Sequence, residues 1–270
     1  MDTTHTWALV DIGVNLAHDS FATDLDAVLA RARDAGVMQM VITGSDAASN
    51  QAAQQMAATH RGQLFATAGL HPHYASAWGA ALATQIDALA QSPEVVSLGE
   101  CGLDYFRDLS PRAVQQQAFT AQLDLAVKHR KPVFLHQRDA HADFLAILRE
   151  YRAQLPAVVV HCFTDTAAAL ADYLALDCHI GITGWICDER RGKHLIEAVT
   201  MVPDERLMIE TDSPYLLPRT APKTSSRRNE PAYLPWVVKA IAHARGQPES
   251  YVADMSARTA RRFFGLPMPG

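Results

Sequence analysis

The sequence lacks several features that would point to membranes or to general polyanion binding. No apolar run approaches the roughly 18 residues that a membrane-spanning helix needs. No basic region followed by an apolar stretch opens the chain, so no signal peptide is expected. Positive charge is not in excess, because 24 lysines and arginines stand against 29 aspartates and glutamates, giving a net charge of −5. We therefore expect any contact with nucleic acid to be local and assisted by a metal ion.

Cysteine is also scarce. The four cysteines include no Cys-x-x-Cys pair, which argues against a structural zinc site. They are Cys101, Cys162, Cys178 and Cys187. A reducing, cytoplasmic setting is the default expectation for such a chain.

What the 270-residue sequence does contain is a regular alternation of short apolar runs and amphipathic segments. Apolar residues make up 49% of the chain, enough for a sizeable core. Eight alternating β and α units predict a parallel sheet that closes into a (β/α)8 TIM barrel, with residues 1–270 as a single domain. The predicted strands are Trp7–Gly13, Val37–Thr43, Leu64–Gly69, Val95–Glu100, Pro132–His136, Ala157–His161, Cys178–Thr183 and Leu207–Glu210.

Four of these strands end in a residue that could bind a metal ion. They lead to Glu100, His136, His161 and, two residues after Glu210, Asp212. In a parallel barrel all strand C-termini share one face, so the four side chains are predicted to converge. Mixed oxygen and nitrogen donors suit Mg²⁺, Mn²⁺ or Zn²⁺. Each residue taken alone could instead be a satisfied polar group at a strand end, but four at matching positions favour a metal site.

The candidate catalytic carboxylates are Glu100 and Asp212. Glu100 interrupts the glycine-containing stretch Val95–Asp104, where an ordinary strand is expected to stop. Asp212 could accept a proton from a metal-bound water, or it could bind the metal directly. The alternative for Asp212 is a loop cap before Ser213, since aspartate favours turns.

Three further residues are candidates for phosphate binding. His71 and His73 follow the third strand, and side chains two residues apart point the same way along an extended segment. A turn centred on Pro72 with exposed imidazoles is an equally good interpretation. Arg138 has the planar fork that suits phosphate, although Asp139 could be its partner instead.

Several motifs together resemble the TatD family of metal-dependent deoxyribonucleases. The segments that carry the resemblance are Val10–Asn15, Gly69–His73, Gly99–Asp104, Leu135–Asp139, His161–Thr164, Gly181–Trp185, Glu210–Pro214 and Ser225–Pro231. The resemblance covers nearly the whole chain and implies a cytoplasmic barrel enzyme. It also implies 3′-to-5′ exonuclease action on single-stranded DNA and RNA with a divalent metal, most often Mg²⁺. Its metal ligands fall on Glu100, His136 and His161, with Asp212 as ligand or base, and we expect a monomer.

The sequence departs from this family at the end of the first strand. Most relatives carry Asp-x-His-x-His there, whereas this chain has Asp11, Gly13 and Asn15. Glycine has no ligand atom and asparagine offers only a neutral oxygen. Losing two imidazoles should weaken a second metal position severely, so we expect one tightly held ion.

Two other functions remain open from the sequence. The same barrel and ligands would suit a metal-dependent amidohydrolase that acts on a small cyclic amide or lactone. The basic residues of the loop over Leu217–Pro231 favour the nuclease, since they could contact phosphates. A non-catalytic partner protein is supported only by the missing strand-one histidines.

Overall fold

The computed structural model describes residues 7–222 and 226–269. Eight strands form one sheet in which every neighbouring pair is parallel and the order follows the chain. They are β1 (Leu9–Val14), β2 (Val37–Ile42), β3 (Leu64–Ala68), β4 (Val95–Asp104), β5 (Val133–Arg138), β6 (Val158–Val160), β7 (His179–Ile182) and β8 (Leu207–Ile209).

The sheet nearly closes on itself just beyond β8. Val14 and Ser213 form an isolated parallel bridge, and the amide of Asp212 donates to the carbonyl oxygen of Gly13 at 2.8 Å. The predicted TIM barrel is therefore confirmed.

Helices connect the strands on the outside of the barrel. They are α1 (Leu25–Asp34), α2 (Ala47–Thr59), α3 (Ala80–Leu89), α4 (Arg112–His129), α5 (His141–Tyr151), α6 (Ala167–Ala175), α7 (Lys193–Met201), α8 (Leu234–Arg245) and α9 (Glu249–Phe264). Local sequence explains several of their ends. The Asp46 side chain accepts from the amides of Ala48 and Ser49 and so caps α2, while left-handed glycines at 246 and 265 end α8 and α9.

One end of the barrel is filled by apolar side chains. A cluster of interior strand residues, including Ile12, Phe134 and Met208, packs against Phe263 and Phe264 of α9. The Arg261 guanidinium donates to the carbonyl oxygen of Ala8, which immediately precedes β1. Helix α9 therefore covers the mouth at the N-terminal ends of the strands, and the opposite mouth is left for a site.

Strand β4 differs from its prediction. It does not stop at Glu100 but continues, fully buried, to Asp104. The register with β5 shifts between Leu98 and Cys101, which absorbs the irregularity. Gly102 has φ +144° and lies so close to β5 that a Cβ would overlap the carbonyl oxygen of His136. The prediction that the strand must end there was wrong, because the glycines let the two strands stay paired.

None of the helices in the described part of the chain is both long and apolar enough to cross a lipid bilayer.

Candidate active site

A cleft of about 450 Å³ opens at the mouth formed by the C-terminal ends of the strands. All seven of the residues predicted from sequence to form the site lie in its walls. They are His71, His73, Glu100, His136, Arg138, His161 and Asp212. The fold thus brings together side chains that are up to 141 residues apart in the chain, from His71 to Asp212.

Glu100 lies at the centre of this group. Its Oε1 is 2.7 Å from His161 Nε2 and 3.0 Å from His136 Nδ1. The same oxygen is 3.4 Å from His71 Nε2. Three imidazoles, one within β5 and the others after β3 and β6, therefore surround one buried carboxylate oxygen.

Part of this set, which consists of His71, Glu100 and His136 and does not include His161, has the spacing of a divalent metal site. One ligand atom each from His71, Glu100 and His136 lies within 4.8 Å of the others, which is the spacing expected around a shared cation. One carboxylate oxygen with imidazole nitrogens is a common set for borderline divalent ions. His71 is thus a ligand candidate as well as a phosphate candidate, a role that sequence reasoning did not give it.

The protonation states of Glu100 and His71 are those that a metal ligand requires. Burial alone would raise the pKa of Glu100, but the neighbouring imidazoles of His71 and His161 hold this pKa well below its usual range. Burial lowers the pKa of His71 to about 4. At neutral pH the carboxylate is therefore ionised and His71 is neutral, as each must be to donate electrons to a metal.

Asp104 is a site residue that sequence reasoning missed. Its Oδ2 is 2.8 Å from His73 Nε2 and 3.3 Å from His136 Nε2, and its Oδ1 accepts from the amide of Arg107. Burial opposes ionisation of Asp104, yet the hydrogen bonds from His136 and His73 hold its pKa well below the ordinary value. A carboxylate on the far nitrogen of His136 fixes the ring and its tautomer. Asp104 ends the Gly99–Asp104 motif, so the motif itself was the available signal.

Glu210 plays the matching part for His161. His161 Nδ1 is 3.3 Å from Glu210 Oε2, and Glu210 Oε1 accepts from the amide of Cys162. Burial would lower the pKa of His161, but the charges of Glu100 and Glu210 raise it well above its usual value. Glu210 is therefore a buried hydrogen-bonding partner of His161.

Asp212 lies at the edge of the cluster in a conformation that exposes it to the cleft. Its φ is +50°, and its Oδ1 accepts from Asn15 Nδ2 at 3.0 Å. Burial, together with the charges of Glu100 and Glu210, raises the pKa of Asp212 to about 7 despite the opposing charge of His161. A carboxylate with this pKa can accept a proton near neutrality.

The end of β1 is organised differently. Fully buried Asp11 accepts from the hydroxyl of Thr211 at 2.5 Å and from the amide of the same residue at 2.9 Å. A Cβ on Gly13 would overlap the carboxylate of Glu210. Within residues 7–222 and 226–269, the group around Glu100 is the only cluster of three ligand-type side chains close enough to share an ion.

Comparison with known proteins agrees with this geometry. The family model described as "TatD related DNase" matches residues 10–265. The chain belongs to this family. It is 49% identical over 260 residues to the "3'-5' ssDNA/RNA exonuclease TatD" of Erwinia billingiae, covering 96% of this chain and all of that one. The protein of the same name from Pantoea ananatis is 48% identical over 259 residues, with the same coverage.

A solved structure shows the same fold. The TatD homolog YjjV of Escherichia coli K12 superposes with a TM-score of 0.88 at 27% identity, covering 96% of this chain and 99% of that one. The resemblance to the TatD family is therefore confirmed across the chain.

In this TatD family member the phosphate candidate Arg138 lies among aromatic side chains. The Arg138 guanidinium carbon lies 4.0 Å from the ring centroid of Phe106 and 6.0 Å from that of Trp185. Among the described residues no ion pair joins Arg138 to Asp139, so the alternative for Arg138 is not supported. Tyr105, directly after β4, packs under Arg112 and donates its hydroxyl to Asp143.

Two arginines of the basic loop after β8 pair with carboxylates and do not line the cleft. Arg219 pairs with Glu189 at 2.7 Å. Arg228 pairs with Asp24 and with Glu230, both at 2.7 Å. Lys223 lies outside the described residues. These two arginines hold the loop to its neighbours, and the cations of the cleft come from other loops.

Proposed function

We propose that this chain is a metal-dependent nuclease that removes nucleotides from the 3′ end of single-stranded DNA and RNA. The supporting observation is the cluster of three imidazoles on Glu100 at the open mouth of a TatD-family barrel. The exonucleases named TatD that are 48–49% identical to it over their whole length supply the substrate and direction. Family membership favours this function over the amidohydrolase, and the intact donor set argues against a non-catalytic protein.

We assign the metal ion to Glu100, His136 and His161, with His71 as an additional donor. Mg²⁺ is the proposed ion, because a phosphodiester substrate supplies oxygen ligands that Mg²⁺ prefers. When bound, a divalent ion supplies a water of lowered pKa and neutralises charge that develops on the phosphate. Mn²⁺ and Zn²⁺ are the competing choices, since three imidazoles suit them well.

The chain's own side chains supply the remaining chemistry. Asp212 is the proposed general base, because one of its oxygens is held by Asn15 and the other is left to receive a proton. Glu210 and Asp104 orient His161 and His136. Arg138 is the proposed phosphate contact, since its guanidinium lies in the cleft with no carboxylate partner among the described residues. His73, whose side chain is 26% exposed, is a second candidate for this role.

Two labelled oligonucleotides test the activity and its direction. Metal-stripped protein, supplied with Mg²⁺, Mn²⁺ or Zn²⁺, is incubated with single-stranded DNA or RNA labelled at the 5′ or the 3′ end. We expect 3′-labelled substrate to lose its label as a mononucleotide at once, while 5′-labelled substrate shortens stepwise. Release of internal fragments, or no hydrolysis with any of the three metals, would contradict the proposal. The Glu100→Ala variant, purified identically, controls for contaminating nucleases.

Calorimetric titration of the metal-stripped protein tests the number of ions. We expect one tight equivalent in the absence of nucleic acid, because the end of β1 lacks donors that are free to bind a second one. Two tight equivalents would show that the strand-one substitutions leave a second site intact.

We further propose that the protein is a monomer of one domain and that it works in the cytoplasm. Light scattering after gel filtration should give a mass near 29.5 kDa. Fractionation of cells carrying the native protein should place it with cytoplasmic markers, and a dimer mass or an extracytoplasmic location would contradict the respective statement.

A further inference from the structure

Exposed aromatic rings are concentrated at the mouth of the cleft. Tyr74, Phe106 and Tyr215 are 52%, 54% and 52% exposed. Tyr74 and Tyr215 line the main cleft, and Phe106 lines a side recess of about 210 Å³ that shares Arg138 and Trp185 with it. Stacking on aromatic rings is a sequence-tolerant way to hold the bases of a single strand. Exposed rings at this mouth are therefore suited to stacking on bases.

The rings form two walls on opposite halves of the barrel mouth. Phe106 follows β4 and Trp185 follows β7, and they belong to the half built by β4 to β7. Tyr74 follows β3 and Tyr215 follows β8, and they belong to the half built by β8, β1, β2 and β3. The cluster on Glu100 lines the same cleft, with Glu100, His136 and His161 contributed by the β4-to-β7 half and His71 by the other half.

The two walls differ in charge. The three arginines that line the cleft all lie with Phe106 and Trp185: Arg107, Arg138 and Arg191. Arg138 stands over Phe106 at 4.0 Å, and the Arg191 guanidinium carbon is 4.4 Å from the ring centroid of Trp185.

Carboxylates are also present on this arginine-bearing wall. Asp139 and Asp165 border the recess, and Asp165 Oδ2 accepts from Gln137 Nε2 at 3.0 Å. Arg191 is itself paired with Asp188. Arg107 and Arg138 have no ion pair among the described residues, and of these two only Arg138 lines both the cleft and the recess, so it is the better placed to meet a phosphate.

The tyrosine wall carries no comparable cation. Around Tyr74 and Tyr215 the lining includes the neutral side chains of Asn15 and Ser45, the imidazoles of His71 and His73, and the carboxylate of Asp212. No lysine or arginine from residues 7–222 or 226–269 lines the cleft on this side.

A 3′-to-5′ exonuclease meets two unlike neighbours of the scissile phosphate. The nucleotide on the 3′ side is terminal and carries no further phosphate, whereas the strand on the 5′ side carries one phosphate at every step. We propose that the nucleotide on the 5′ side stacks on the Phe106–Trp185 wall, with its phosphate at Arg138. The terminal nucleotide then lies against Tyr74 and Tyr215. This assignment of strand polarity rests on the proposed function.

Two dinucleotides that each lack one base can test the polarity. In one, thymidine lies on the 5′ side of the phosphodiester and an abasic tetrahydrofuran residue on the 3′ side; in the other, the order is reversed. We expect Phe106→Ala and Trp185→Ala to raise KM about tenfold more for the first dinucleotide than for the second. Tyr74→Ala and Tyr215→Ala should show the opposite preference. The effect should fall on KM and leave kcat less changed, which loss of folding would not do.

Trp236→Ala is the matched control. Trp236 also lies beside a cation, with Lys239 Nζ 4.6 Å from its ring centroid, but it lines a separate pocket on the outside of the barrel. It should change neither KM. The reverse pattern among the four cleft variants would overturn the polarity, and equal effects on both dinucleotides would overturn the division into two walls.

A binding measurement can replace the KM comparison if the protein does not cleave the dinucleotides. Failure of the unmodified protein to cleave either dinucleotide or a longer strand would count against the proposed function itself. Each cleft substitution can also be combined with Asp212→Asn to prevent hydrolysis. Binding of the two dinucleotides to these metal-loaded proteins, measured by nuclear magnetic resonance titration, then gives the same comparison. Identical binding of both dinucleotides to all four cleft variants would then overturn the polarity.

Discussion

Two regions of the barrel mouth, one at the ends of β3 to β6 and one at the end of β1, both contain buried carboxylates but surround them with different groups. On the β3-to-β6 side, imidazoles surround the carboxylates of Glu100 and Asp104 and leave a set of donors turned toward a shared point. On the β1 side, the carboxylate of Asp11 accepts hydrogen bonds from the amide and the hydroxyl of Thr211. The space beside Gly13 is filled by the carboxylate of Glu210. A carboxylate makes a metal site only where its neighbours are other potential ligands, since hydrogen-bond donors on the same oxygens satisfy it without an ion.

The largest effect on turnover is expected when the carboxylate of Glu100, at the centre of the β3-to-β6 region, is removed. Glu100→Ala, and separately His161→Ala, should lower turnover at least about a thousandfold, since a catalytic metal contributes several kcal/mol and 1.36 kcal/mol is tenfold in rate. Circular dichroism should show an intact fold, because strand C-terminal residues serve the site more than the core. Glu197→Ala, on the exposed face of α7, is the control. Normal turnover with unchanged metal content in either variant would refute the ligand assignment.

Asp212 follows β8 and lies beside both regions. Its substitution tests whether it acts as a general base or as a metal ligand. Asp212→Asn keeps an oxygen but cannot accept a proton near neutral pH, so turnover should fall about 10²–10⁴-fold. Metal affinity, measured by titration, should stay within a few-fold of that of the unmodified protein. Should the affinity collapse together with the rate, Asp212 is chiefly a ligand and the role of base belongs to another group.

A smaller effect is expected at Asp104, which contacts the cluster only through His136 and His73. Asp104→Asn should weaken metal affinity or activity about 10–100-fold, since the far nitrogen of His136 loses its charged partner. Asp108→Asn is the matched control, because Asp108 lies four residues away and pairs with Arg112 at the surface. Equal behaviour of the two variants would leave Asp104 without a positioning role.

The smallest effect on activity, and the clearest test of the region at the end of β1, is expected from Gly13→His. The new side chain restores a family ligand in sequence, but its Cβ would overlap the carboxylate of Glu210 and lie 3.0 Å from Phe134 Cζ. Overpacking of this kind costs about 1–3 kcal/mol, which urea unfolding can measure. No second tight metal equivalent should appear. A second tight metal equivalent at unchanged stability would show that only the missing imidazole prevents the end of β1 from binding an ion.

Much of this molecule follows from periodicity and spacing in its sequence. The eight alternating units specify the barrel because parallel strands need helical crossovers, and all their C-terminal ends then share one face. That rule alone gathers Glu100, His136, His161 and Asp212 in one cleft. The absence of imidazoles at Gly13 and Asn15 is likewise visible in the sequence.

Only the tertiary structure decided which side chain faces which. Three contacts depend on distances of about 3 Å between segments far apart in sequence. They are His71 beside Glu100, Asp104 between His73 and His136, and Asp11 hydrogen-bonded to Thr211. The pairing of Arg219 and Arg228 with acidic residues from other loops is of the same kind. Sequence patterns determine which face of the barrel a residue occupies, because backbone periodicity is local. The partner of a polar group depends on packing between distant segments, and only the folded chain brings those segments together.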